Sequence, residues 1–125
     1  GAARPAQELK FQRVKNNAEL DQAISHARGR YVMLDFYADW CVSCKEMELF
    51  TFSHSEVQAR LKDVYLLQAD VTANNADDAA LLNRFDLFGP PGILFFDKQG
   101  NEIKTRVIGY QNSDTFLATL NSVMQ

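Results

Sequence analysis

The sequence predicts an α/β fold, a central mixed β-sheet flanked by helices, and three features carry that expectation. Short apolar runs of strand length alternate with segments of helical period along the chain. One run, Tyr31 to Tyr37, is apolar at nearly every position, as a strand covered on both faces requires. A Gly89-Pro90-Pro91-Gly92 break precedes two strand-like runs joined by a tight turn, so antiparallel pairing joins the βα alternation.

The elements follow in order. The first eight residues are expected to be a flexible segment, and residues 9–125 one folded domain. Leu9 to Val14 reads as a short edge strand. Asn16 with Glu19 three residues on is a capping pattern, and Leu20, Ala23, Ile24 and Ala27 share one helical face before Gly29 stops the helix. After the Tyr31–Tyr37 strand a helix opens at Cys41. A second capping pattern, Ser53 to Glu56, predicts an interruption near Thr51 to Ser53 and a restart running to about Lys62. Val64 to Asp70 is a buried strand, and Asp77 to Phe85 a short helix with Leu81, Leu82 and Phe85 inward. Ile93 to Asp97 and Glu102 to Ile108 form a hairpin across Lys98-Gln99-Gly100-Asn101. Phe116, Leu117, Leu120 and Val123 mark a closing helix, which gives the order β-α-β-α-β-α-β-β-α.

At 125 residues, 46% hydrophobic and 23% charged, the chain suits one domain with a real core. A net charge of -3, with no basic run or aromatic ladder, argues against nucleic acid and for a protein partner. No apolar stretch approaches the roughly 20 residues that span a bilayer, and no signal-peptide pattern is present. The opening Gly1-Ala2-Ala3-Arg4-Pro5 lacks a methionine and reads as the start of an excised or processed piece, so a missing leader says nothing of the compartment.

The chemistry rests on Trp40-Cys41-Val42-Ser43-Cys44, which holds the only two cysteines. Two thiols two residues apart at a helix start suit a disulfide that opens and closes reversibly. The unpaired N–H groups of the first turn favour a thiolate on Cys41, the expected nucleophile. Cys44, one turn in and less accessible, is the expected resolving thiol. Other readings stand beside this one. A structural staple would add little stability, because so short a loop removes little chain entropy. A zinc site would need ligands beyond the two cysteines, and His26 and His54 both read as surface histidines. No metal or cofactor is expected apart from the dithiol itself.

Leu34-Asp35-Phe36-Tyr37-Ala38-Asp39-Trp40-Cys41-Val42-Ser43-Cys44, with Gly89-Pro90-Pro91-Gly92-Ile93-Leu94-Phe95-Phe96 some 45 residues later, resembles the thioredoxin superfamily over nearly the whole chain. More narrowly, Tyr37 to Glu46, Thr51-Phe52-Ser53, Gln68 to Asn74 and Ile93 to Phe96 resemble the C-terminal domain of the DsbD family of bacterial inner-membrane thiol:disulfide interchange proteins. That resemblance implies a periplasmic domain that takes electrons from the family's transmembrane domain and passes them to its N-terminal periplasmic domain. It implies no cofactor. The isolated domain is expected to be a monomer.

Asp35 lies on the strand face opposite Val32, Leu34 and Phe36, yet both faces of a central strand are covered, so its carboxylate is expected to be buried at some cost. Its position matches the family's buried acid, which implies a role in moving protons. Glu48 falls four residues after Cys44, on the thiol face of the helix, and matches a second family acid. Glu46 and Lys45 read as solvated surface residues. Trp40 is expected both to pack and to form the rim on which partners dock. Pro91 matches the family's cis-proline, which implies a cis Pro90–Pro91 bond facing the dithiol and backbone offered to an extended partner. Here the chain departs from the pattern. Pro90 has no N–H, and Gly92 stands where the family commonly has threonine, which narrows how a partner strand pairs. Val42-Ser43 supplies no cation to hold a thiolate, which favours a reductant over an oxidant. Two alternatives remain: a free-standing periplasmic thioredoxin-like reductase, and a thioredoxin-fold binding module with an inert disulfide.

Overall fold

The computed structural model describes residues 8–125, so the expected flexible segment lies, except for Glu8, outside the described residues. Strands β1 (Gln12–Arg13), β2 (Val32–Tyr37), β3 (Tyr65–Asp70), β4 (Gly92–Phe96) and β5 (Glu102–Val107) form one sheet in the order β1-β3-β2-β4-β5. The pairs β1 with β3 and β2 with β3 are parallel, while β4 runs antiparallel to both β2 and β5. The sheet is therefore mixed, as expected. Helices α1 (Asn17–His26), α2 (Val42–Glu46), α3 (Ser55–Arg60), α4 (Ala76–Arg84) and α5 (Ser113–Val123) cover it, and α2 continues into a π-helical turn, Met47–Thr51.

All six residues of β2 are buried. Side-chain alternation divides them between two cores. Val32, Leu34 and Phe36 join Leu20, Leu81 and Phe85 from α1 and α4 in one cluster. Met33 points the other way, to Met47, Val57, Phe116 and Leu120 in a second cluster. Asp35 alternates onto the Met33 side, so its carboxylate enters a covered face.

Several element ends differ from the sequence expectation, each for a local reason. β1 is two residues long, since Phe11 turns its ring onto Phe52, with centroids 5.7 Å apart, and does not extend the strand. Asn16 caps α1 by accepting the Glu19 N–H at 2.8 Å, whereas the Glu19 carboxylate accepts from Lys15 N, one residue earlier than a capping box places it. Gly29, at φ +89°, then turns the chain as a residue with a Cβ would not do freely. The expected Ser53 cap is absent. His54 Nδ1 accepts the Glu56 N–H at 3.2 Å, while Ser53 Oγ donates back to the Leu49 carbonyl at 2.7 Å. The helix accordingly restarts at Ser55 and ends at Arg60. α4 starts one residue early because Asn75 and Asp78 form a reciprocal capping box.

Candidate active site

β2, β4 and β5 together build one end of the sheet. Phe36, next to last in β2, pairs with Gly92, the first residue of β4, and Val107, the last of β5, pairs with Ile93. The residues that leave β2 or β5, and those that enter β4, therefore converge. They include the dithiol after β2, the Gly89-Pro90-Pro91 turn before β4, and Ile108 to Tyr110 after β5. Gly92 fits because a Cβ there would sit 3.1 Å from Leu87 Cδ1 and meet Ile108 Cδ1. Those two side chains already fill the space that a larger residue would take.

Cys41 and Cys44 form a disulfide with Cα atoms 5.3 Å apart. Cys41 is the N-cap of α2 and not its first residue, and its sulfur accepts the Cys44 N–H at 3.2 Å. That geometry removes the expected difference in accessibility. Turned back onto the first turn, Cys41 is 5% exposed against 4% for Cys44. The asymmetry lies in the polar surroundings instead. An amide N–H at the Cys41 sulfur favours a thiolate there. Cys44 Sγ lies 3.7 Å from the Phe36 carbonyl oxygen, which accepts a thiol proton and disfavours a thiolate.

Asp35 is buried, and its Oδ2 accepts from Gln68 Nε2 at 2.9 Å. Burial pushes its pKa from 3.8 up to about 7; the Gln68 hydrogen bond opposes the rise, the Glu48 charge adds to it and the Arg13 charge lowers it. A carboxyl poised near neutral pH can hold or release a proton as the dithiol reacts. Glu48 itself is exposed, at the second position of the π turn. The helical period changes at Met47, and the charge of Glu48 acts on Asp35, Tyr37 and Lys45. Lys45 is exposed, as a surface lysine is expected to be. Its ammonium donates to the Tyr37 hydroxyl and lies 5.0 Å from that ring's centroid, while the hydroxyl donates to Asp39 Oδ1 at 2.9 Å.

Trp40 is 58% exposed, and its indole N–H donates to the Thr72 carbonyl at 3.1 Å. That hydrogen bond ties the exposed indole to the loop after β3. The Pro90–Pro91 peptide bond is cis, and both prolines are half-buried. Phe88, Ile108 and Tyr110 are exposed apolar residues at this same end of the sheet, and sequence reasoning missed them. Their signal was position: Phe88 lies in the loop before β4, and Ile108 and Tyr110 follow β5, where a polar residue would be ordinary. Gln68 was missed as well, although an amide inside the run Leu66-Leu67-Gln68-Ala69 needs a polar partner. Among the described residues no group of three or more His, Cys, Asp or Glu is placed to hold a metal ion, and no helix is long and apolar enough to cross a membrane.

A family described as a thioredoxin-like domain matches residues 18–124. The chain is 58% identical over 126 residues to the thiol:disulfide interchange protein DsbD of Ralstonia nicotianae, covering 99% of this chain and 21% of that protein. It thus spans about a fifth of the length of this curated relative. Among solved structures, the C-terminal domain of Neisseria meningitidis DsbD in its oxidised form superposes with a TM-score of 0.75 at 33% identity, covering 89% of this chain and 98% of that one. The reduced form of the same domain gives 0.71 at 35% identity, with 86% and 96% covered. With a cysteine pair at a helix cap, a buried acid in the strand that leads to it and a cis-proline turn at the same end of the sheet, the chain belongs to the thioredoxin-like family, and within it to the C-terminal domains of DsbD.

Proposed function

We propose that the domain is a protein-disulfide reductase that carries two electrons at a time by dithiol–disulfide exchange, without a cofactor. The observation that carries this reading is the Cys41–Cys44 disulfide, with an N–H donor on one sulfur and a carbonyl beside the other. In the reduced domain the Cys41 thiolate attacks one sulfur of a partner disulfide, forming a mixed disulfide and expelling the partner's second sulfur as thiolate. Cys44 gives up its proton and attacks Cys41 Sγ, which closes the Cys41–Cys44 disulfide and releases the partner's first sulfur. Two electrons have then passed to the partner, whose two thiolates take up two protons. Asp35 is the buried group able to accept the Cys44 proton, and Glu48 adjusts how readily it does so. Trp40, Pro90 and Pro91, with Phe88, Ile108 and Tyr110, form the docking rim.

Likeness to DsbD supports a wider placement. The domain would be the periplasmic part of an inner-membrane protein, reduced by that protein's transmembrane domain and reducing its N-terminal domain. Neither nucleic acid nor a lipid surface is needed for this cycle.

Equilibration with glutathione redox buffers tests the reading. The domain is expected to titrate reversibly as a two-electron couple, a tenfold change in ratio for about 30 mV, with a midpoint well below the about -120 mV of strongly oxidising dithiols. A disulfide that stays closed until the protein is denatured would make the domain a binding module instead.

A further inference from the structure

Arg13 plays no part in the exchange steps above, yet it begins a chain of hydrogen bonds that ends on their buried acid. From the edge strand β1, its Nε donates to Gln68 Oε1 at 2.7 Å, and Gln68 Nε2 donates to Asp35 Oδ2 at 2.9 Å. Sheet register makes this reach possible: Arg13 lies opposite Gln68, and Gln68 opposite Asp35, so one residue from each of three adjacent strands lines up across the sheet. Gln68 is 5% exposed and Asp35 6%. Arg13 is half-exposed and also pairs with Asp70 Oδ2 at 2.8 Å, which fixes its guanidinium. The line therefore runs from solvent to the buried acid of β2.

The chemistry of the two amide ends decides what the line does. Arginine has only donors, so the Gln68 oxygen must face Arg13 and its NH2 must face Asp35. Were the amide free to turn over, its oxygen would face the carboxyl and favour the protonated acid. With the amide locked, Asp35 Oδ2 is an occupied acceptor. Oδ1 takes no hydrogen bond among the described residues, and it is left to carry the proton. We propose that Arg13 is a positioning residue for thiol exchange: acting through Gln68, it fixes which oxygen of Asp35 is held by the sheet and which one serves the dithiol. The proposal rests on the carrier reading above.

The charged groups around Asp35 are few. Glu48 acts from the π turn and Arg13 from β1; the antiparallel neighbour in β4 is apolar Ile93. Arg13 also lowers the Asp35 pKa directly through its charge, so the test must separate charge from relay. The Asp35 carboxyl titration, followed by its carbon-13 shift in the oxidised domain, does so in Arg13→Met, Arg13→Lys, Gln68→Leu and the Arg13→Met/Gln68→Leu double variant.

Arg13→Met and Gln68→Leu should each raise the midpoint by about half a pH unit or more, the scale of one reoriented hydrogen bond to a charged group. Arg13→Lys should restore most of it. Once Gln68 is gone, the arginine change should add little. The pH profile of Cys41 alkylation in the reduced domain should move in Arg13→Met as well. A midpoint that stays in place while the melting temperature falls would make Arg13 a brace for the sheet edge. Full additivity in the double variant would make it a distant charge and overturn the relay. The titration needs no turnover, so a wild-type domain that failed to exchange with glutathione would sink the carrier reading and leave the Arg13 result legible.

Discussion

Cys44→Ser is expected to accumulate a mixed disulfide on Cys41 when the reduced domain meets oxidised glutathione, and Cys41→Ser to accumulate about tenfold less or lower still. The reason is the inequality of the two sulfur environments. Cys41 Sγ receives an N–H from the first turn of α2, which supports the thiolate that attacks. Cys44 Sγ faces the Phe36 carbonyl, which holds its proton until a mixed disulfide has formed next to it. Without Cys44 the adduct has no resolving thiol and persists. Intact-protein mass spectrometry reads the adduct directly. Equal trapping by the two variants would mean that similar burial, 5% against 4%, governs reactivity and that the hydrogen bonds do not.

Asp35→Asn should stabilise the oxidised domain strongly at alkaline pH and have little effect in acid. In the unfolded chain this carboxyl titrates near 3.8, whereas burial in the folded state raises it to about 7. Between those values the folded form binds more protons than the unfolded form, so stability falls as pH rises. The contribution of Asp35 is fully present below about 3.8 and lost once pH passes about 7. Three pH units of difference correspond to about 4 kcal/mol, which the wild type lacks at pH 8 and an uncharged asparagine recovers. Urea unfolding of both proteins at pH 4 and pH 8 measures it. The curves should lie close together in acid and separate above neutrality, the variant being the more stable. A variant less stable than the wild type at pH 8 would show that Asp35 is held as a satisfied carboxylate with no strain on its charge.

Much of this was legible in the sequence because strongly periodic or fully apolar segments leave few choices. Tyr31 to Tyr37 has no polar face, so it had to lie at the centre of the sheet, and Asp35 inside it had to be buried. The cysteine spacing at a strand-to-helix junction located the site in the same way. What the sequence did not disclose depends on long-range geometry. Glu48 sits in a π turn that no local pattern marks, and its influence on Asp35 is exerted through space. His54 took the cap expected of Ser53 because the hydroxyl had a nearer acceptor, the Leu49 carbonyl. Arg13 and Gln68 are far apart in the chain, and only the parallel register of β1, β3 and β2 brings them into line with Asp35.

In the carrier reading Asp35 and Glu48 are also expected to hold Cys41 in check until a partner arrives, and the pH dependence of Cys41 alkylation in the reduced domain tests this most directly. The Cys44 N–H at the Cys41 sulfur favours a thiolate, while a charged Asp35, itself influenced by Glu48, is expected to oppose one. Two acids against one hydrogen bond predict a midpoint at or above about 8.5, the value of a free thiol. It should move down in Asp35→Asn and in Glu48→Gln, with effects that do not simply add if the acids are coupled. A wild-type midpoint well below about 7, the range of oxidant-type dithiols, or a midpoint unmoved by either substitution, would contradict the account and leave both acids as structural residues.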